Sequence, residues 1–376
     1  MNTEHTLTEL FEYKSTEGVS EYHAIIHVTN VSLTYKEQVD ALLAAYDRLL
    51  RDELNGAVAV FKRFFLSDAA NQAAYIAAIE TEYSDCALSI VEQPPLNGTK
   101  IALWVYIQSN VQTKVLPNGL FEVSHGNYRH LWTGNNSNKA KNSEYQTRLL
   151  LNDYIMQLIE QGCTLAENCI RTWFFVQNVD VNYSGVVKAR NNVFATQNLT
   201  DKTHFIASTG IAGRHADSKI LVQMDAYAAT GIKPEQIHYL YAPTHLNPTY
   251  EYGVSFERGT YVDYGDRRQV FISGTASINN KGEVVHMGDI RMQTERMLEN
   301  VEVLLKEADC TFDNVGHMLV YLRDTADYQV VKEIFDQRFP NKPKLILLAP
   351  VCRQGWLIEM ECMAVKQQTD KRYTAY

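Results

Sequence analysis

Glu359 is the residue whose surroundings most suggest chemistry. It lies in the apolar run WLIEMECMA (356–364), flanked by Ile358 and Met360, with Trp356 close before it. A carboxyl on a buried strand loses its hydration, and desolvation favours the neutral form. An acid that keeps its proton near neutral pH is a candidate proton donor. Strand alternation would put Leu357, Glu359 and Glu361 on one face. The alternative is a structural carboxylate ion-paired to Lys344. Cys352 stands seven residues earlier, in a loop between apolar strands. With no His near it in sequence, it suits a pocket wall beside the acid better than a nucleophile, or else it is a buried inert thiol.

Anionic ligand groups would need cationic or backbone partners. Arg171, Arg190, Arg214 and Arg258 stand at element edges or in loops. Each has an alternative role in a surface or interdomain salt bridge. The run STGIAGR (208–214) sets two glycines beside Arg214, a pattern suited to a nest of backbone N–H groups. The loop SGTA (273–276), with Gly274 and Thr275, offers further donors. Gly274 is either a place where a side chain would block a ligand or a bulge at a strand end. Tyr252 is a candidate to stack on a ring, although the chain has 22 tyrosines and most of them must pack. His204, His215, His238 and His245 show no metal spacing, and the six cysteines form no CxxC pair. No metal and no cofactor are predicted.

The elements that must position these residues repeat. Gln146-Thr147 and Gln293-Thr294 are 147 positions apart, and so are Cys163-Thr164 and Cys310-Thr311. Both segments, 146–164 and 293–311, carry apolar residues at helical spacing. Each is followed by a strand (170–176 or 317–322), a second helix (182–194 or 328–339) and two closing strands. A fainter copy runs through a helix at 36–50, a strand at 57–66, a helix at 68–79 and two strands. The chain thus reads as an α+β protein of three tandem β-α-β-α-β-β units, at roughly 15–112, 120–232 and 250–368. The corresponding divisions are 1–115, 116–237 and 238–376, the last including a linker and a tail. Each sheet would cover one face with helices and bury the other against its neighbours around a pseudo-threefold axis. The Tyr- and Pro-rich linker 238–259 reads as an ordered surface connection of the kind that builds sites. The polar segment 134–144 reads as a mobile loop, and the tail from 367 onward as frayed.

Composition narrows the function classes. The 376 residues carry 35 Lys plus Arg against 44 Asp plus Glu, a net charge of −9. An acidic surface repels a phosphate backbone, so nucleic acid is not an expected partner. No secretory leader and no membrane-spanning stretch are evident, and the cysteine usage fits a reducing cytoplasm. A single chain with internal pseudo-threefold symmetry is compatible with a monomer or a homo-oligomer.

The third unit resembles the YjgF/RidA family, also called endoribonuclease L-PSP, which has a chorismate-mutase-like fold. The matching pieces are Ile-Ser-Gly (272–274), Gly-Asp-Ile-x-x-Gln-Thr (288–294), Leu-Glu-Asn (298–300), Tyr-Leu-x-Asp (321–324) and Glu-x-Glu (359–361). That family is trimeric, with sites between subunits, so the resemblance implies a trimer's worth of folds in one polypeptide. Its deaminases hold the substrate carboxylate with an Arg at a position matched here by Lys344, which lacks the planar two-pronged grip of a guanidinium. In the second unit the same position falls on His204. A narrower resemblance is to the chorismatases, carried by SGTAS (273–277), Arg171-Thr-Trp, Arg190-Asn, Ser208-Thr-Gly-Ile, Tyr252-Gly253 and Phe256-Glu-Arg258-Gly. It implies Glu359 as proton donor and Cys352 as its companion in one subclass. The substrate would be chorismate or a related enol-pyruvyl compound, cleaved to pyruvate and a cyclic carboxylate. The arginines, Lys344, Tyr252, Gly274 and Thr275 would bind it. The wider resemblance implies instead an imine or enamine deaminase, or a binding protein that retains the cleft without the chemistry.

Overall fold

The computed structural model describes residues 3–15, 18–83 and 86–376. The first unit runs β1 (Thr6–Tyr13), β2 (Ser20–Val28), α1 (Tyr35–Arg48), β3 (Val58–Leu66), α2 (Ala69–Tyr83), β4 (Ala87–Glu92) and β5 (Ile101–Ser109). The second runs β6 (Gln112–Val115), β7 (Phe121–His125), β8 (Tyr128–Ser137), α3 (Ser143–Ile159), the single turn α4 (Leu165–Asn168), β9 (Cys169–Val176), α5 (Val179–Thr196), β10 (Ala207–Ala212) and β11 (Val222–Thr230). The third runs β12 (Ile237–Leu240), β13 (Gly259–Asp263), β14 (Arg267–Ala276), α6 (Ile290–Glu307), β15 (Val315–Leu322), α7 (Tyr328–Arg338), β16 (Lys344–Leu348) and β17 (Ile358–Gln367).

Each unit builds its own sheet on one plan. The shared four strands are ordered β2-β5-β3-β4, β8-β11-β9-β10 and β14-β17-β15-β16. In each, the last strand slots antiparallel between the first and the middle one, and the penultimate strand pairs parallel on the outside. Each unit also has antiparallel strands beyond the expected plan, β1, β6–β7 or β12–β13, extending the sheet past its first shared strand. Their short, partly polar sequences hide them among apparent leaders and linkers.

The repeated Gln has a physical job. Gln146 lies in the first turn of α3, where its Oε1 accepts from Leu221 and Val222 N–H and its Nε2 donates to Lys219 C=O. Gln293 in α6 does the same for Leu357 and Gly355. Gln38 in α1 accepts from Lys100 N–H. One buried amide per unit thus pins the first helix to the start of the last strand. Buried polar groups need partners, which keeps Gln at this position.

The helix-covered faces form separate apolar cores in the first two units. The opposite faces meet at the centre, where Phe61, Trp104, Trp132, Trp173, Tyr227 and Phe271 belong to one cluster. Buried ion pairs cross the seams in cyclic order: Arg63–Asp225 at 2.8 Å, Arg171–Glu361 at 2.9 Å and Arg267–Glu21 at 2.6 Å. Each joins an Arg of one unit to a carboxylate of the next. Removing one partner of such a pair strands a buried charge, a loss of about 3–5 kcal/mol.

Three expectations change. The segment expected to be a loop from 134 to 144 continues β8 through Ser137, paired with β11. The linker contributes β12 and buries Leu240 and Leu246. The tail is docked, not frayed. Tyr376 is buried, its ring 4.5 Å from His130 and 4.8 Å from Tyr264, and Gln108 Nε2 donates to its hydroxyl at 2.6 Å. Aromatic burial at the meeting point of the three units outweighs the polar composition of the residues before it. Among the described residues no helix is long and apolar enough to cross a membrane, and no cluster of His, Cys, Asp and Glu has metal-site geometry.

Candidate functional site

A cavity of about 550 Å³ opens between the second and third units. Helix α5 and strand β10 form one wall. The other comes from β14, β17, the linker and the loop before β17. Along α5, Tyr183, Val187, Arg190 and Asn191 recur at helical spacing and line one side. Asn191 ties that helix to the linker, donating to Gly253 C=O and accepting from Ser255 Oγ.

Glu359 lines this cavity and is only 4% exposed. Burial pushes its carboxyl up, and the charge of Glu361 adds to that; Arg171 and Arg258 pull the other way, and the outcome is about 8. Glu361 lies on the same face of β17 and accepts from Arg171 Nη2 at 2.9 Å and Trp173 Nε1 at 2.8 Å. Arg171 also donates to Thr209 Oγ1, which accepts a hydrogen bond from Gly274 N–H as well. Gly274 is required by close approach: a Cβ there would overlap Glu359 Oε1 and crowd Thr209.

Three guanidiniums face the cavity without a carboxylate partner among the described residues. Arg258 donates to Asn247 C=O at 2.8 Å. Arg353 donates to Gly282 C=O at 3.0 Å and lies over the rings of Tyr252 and Trp356, 4.8 and 4.7 Å from their centroids. Arg190 is buried, and its Nε and Nη2 have no hydrogen-bond partner among the described residues. A pocket that carries three such cations and one neutral acid is electrostatically suited to a multiply charged anion. Burial, with the charge of Glu359, pushes the Cys352 thiol up to about 12, so it is not a thiolate at neutral pH.

Of the residues selected by sequence, Glu359, Cys352, Arg190, Tyr252, Arg258 and Gly274 meet here. Arg171 lies one layer below, bracing Glu361 and Thr209. Thr275 is turned away, its hydroxyl donating to Ser273 C=O. Lys344 and Arg214 are elsewhere. Lys344 starts β16 at the far edge of the third sheet, facing the first unit, where it pairs with Glu9 at 3.2 Å. It is therefore not the partner of Glu359. Arg214 is exposed and pairs with Glu92 at 3.0 Å. The expected nest does not form, because residues 207–212 extend as β10, parallel to β9. His204 lines a different, smaller cavity and stacks on Tyr239. Arg353 and Tyr183 were not anticipated. Arg353 directly follows Cys352 in sequence, and Tyr183 precedes Arg190 by seven residues, two helical turns, so both signals were available.

The other two seams lack the acid. The Gln-to-strand bonds align Leu357 with Lys100 and Leu221, which places Ala102 and Gln223 where the third unit has Glu359. Gln223 is spent on Ile90 C=O and Asn135 Oδ1. The seam between the third and first units encloses a smaller cavity of about 230 Å³ around Glu9, His27 and Lys344.

Comparison with known proteins places these observations. A family model described as endoribonuclease L-PSP matches residues 256–366, within the third unit. A RutC family protein of Pyrococcus abyssi is 34% identical over 101 residues, covering 26% of this chain and 79% of the relative. The 3-aminoacrylate deaminase RutC of Acinetobacter baylyi is 32% identical over 73 residues, covering 19% of this chain and 58% of that protein. Among solved structures, a chorismatase superposes with a TM-score of 0.65 at 17% identity, covering 82% of this chain and 93% of its own, a likeness of fold.

Proposed function

The chain belongs to the endoribonuclease L-PSP (RutC) family, and on that premise we propose that it is a chorismatase-like enzyme cleaving the enol-pyruvyl ether of chorismate or a related dianion. The observation that carries the reading is the pairing of a neutral Glu359 with Arg190, Arg258 and Arg353, which have no carboxylate partners among the described residues, in one cavity.

The chemistry follows from the charges. Hydrolysis of an enol ether begins with proton transfer to its terminal methylene carbon. That step is slow, so the acid must be close and still protonated at working pH. The position of Glu359 in the cavity wall and its raised carboxyl support this role. Its proton forms the new C–H bond, and the electron pair of the double bond is consumed in forming it. The resulting oxocarbenium is captured by water, and the hemiketal then collapses: its C–O bond to the ring breaks, its hydroxyl proton passes to the departing ring oxygen, and pyruvate is released. Glu359, left as a carboxylate, regains its proton from the attacking oxygen. The arginines anchor the carboxylates on both walls, holding the methylene over Glu359.

A deamination such as the name of the Acinetobacter baylyi relative gives for that protein has less support here. Its carboxylate clamp would be Lys344, which is engaged by Glu9. The test is pyruvate formation from chorismate by the purified protein, coupled to lactate dehydrogenase. We expect turnover that falls as pH rises through about 8, following Glu359, and a drop of about 100-fold or more in Glu359→Gln. No pyruvate from the wild type, or equal turnover by the variant, refutes the proposal.

A further inference from the structure

Helix α3 carries an apolar stripe that the fold does not use. Tyr145, Leu149, Met156 and Ile159 are 48%, 44%, 57% and 54% exposed. With Asn152 between them they follow a four-three-four-three spacing, the seam of a two-helix coiled coil. The inward face of the same helix is complete without them, formed by Leu150, Leu151, Tyr154 and Leu158.

The other two units serve as internal controls. The Gln that pins each helix aligns positions 145, 149, 156 and 159 with 292, 296, 303 and 306 in α6, and with 37, 41, 48 and 51 at α1 and the turn after it. Those residues are Met292, Arg296, Val303 and Lys306, and Glu37, Ala41, Arg48 and Arg51. All three helices cover a sheet in the same way, yet only α3 faces outward with four large apolar side chains. Packing within the unit does not account for the difference.

The charges beside the stripe indicate what covers it. Arg148 flanks one side; Asp153 and Glu160 flank the other. In a parallel helix pair, a residue on the first flank meets the residue five positions later on the opposite flank of its partner. Arg148 and Asp153 have that separation. An antiparallel pair would instead set like flanks together, and the flank of Arg148, with Lys141 and Ile155, offers it no acid. We propose that α3 is a homodimer interface, in which a second copy of this chain lays its own α3 parallel to the first about a twofold axis. Tyr145, Leu149, Met156 and Ile159 form the seam, and Arg148 bonds Asp153 of the other copy. Arg148 already bonds Glu144 on its own helix at 2.9 Å, which holds it on that flank. The interface is separate from the cavity around Glu359 and does not depend on the proposed reaction.

Sedimentation equilibrium of the full chain tests this. We expect a dimer at micromolar concentration, with Met156→Glu weakening it about tenfold or more. Arg148→Glu and Asp153→Arg, each alone, should weaken it because like charges then meet, while an equimolar mixture of the two variants should recover dimer. Recovery on mixing is not something misfolded variants would show. A wild type that stays monomeric up to about 100 µM, well above the micromolar range expected of a specific interface, overturns the proposal. So does a dimer indifferent to Met156→Glu, or a mixture that remains monomeric.

Discussion

Substituting Glu359 by Gln keeps the size of the side chain and removes its proton equilibrium, and the consequence is readable without any substrate. In the folded chain the carboxyl is raised to about 8 by burial and by Glu361, against an ordinary value of 4.5. An acid so raised binds its proton more tightly in the native state than in the unfolded chain. Below pH 4.5 both states are protonated and the group is neutral to stability. Between 4.5 and about 8 the unfolded chain ionises and the folded one does not, so stability falls by about 1.4 kcal/mol per pH unit. The accumulated loss is about 3 kcal/mol at pH 7 and levels off near 5 kcal/mol above pH 8. Glu359→Gln has no such slope. Urea unfolding of both proteins at pH 5, 6, 7 and 8 isolates it, because every other titrating group is common to the two chains. The free-energy gap should move by about 2.5 kcal/mol in favour of the variant between pH 5 and 7. A gap constant over that range would mean that Glu359 is ionised in the folded protein at neutral pH. Both the electrostatic account of the cavity and the assignment of the proton donor would then fail.

Two other substitutions probe the same construction. Gly274→Ala puts a methyl group where Glu359 Oε1 now lies, so turnover in the pyruvate assay should fall about 100-fold through displacement of the acid; wild-type turnover would show that the close approach is unnecessary. Tyr376→Ala removes a ring buried among His130, Tyr264 and Arg267, and the urea midpoint should report a loss of about 3 kcal/mol, whereas an unchanged midpoint would refute the docked tail.

The architecture was legible because the repeat is written in residues with a structural duty. Gln146 and Gln293 recur at one offset because each closes the same hydrogen bonds to a distant strand, and the helical apolar periodicity around them marks the faces that pack. Gln38 performs the same task, but without the accompanying Thr and Cys its copy looked faint. The acid was legible for a local reason: a carboxyl in an apolar strand stands out in one dimension. What could not be read was which sheet edge meets which. Lys344 and Glu359 are close in sequence and in the same unit, yet β16 looks toward the first unit and β14 toward the second, so the two belong to different seams. Arg214 failed for a related reason, since its partner Glu92 is brought to it only by the packing of β10 near the end of β4. The tail misled because nine mostly polar positions concealed one decisive ring.

Covalent linkage of the three units has a kinetic and evolutionary consequence. In an assembly of identical separate chains, one substitution changes every seam together, and dilution separates the wall from the acid. Here Ala102, Gln223 and Glu359 differ at equivalent positions, so one seam can specialise while the others are free to serve cohesion alone. The tether keeps the opposing wall at a high effective concentration whatever the abundance of the protein, and a site built this way does not have to be reassembled by collision.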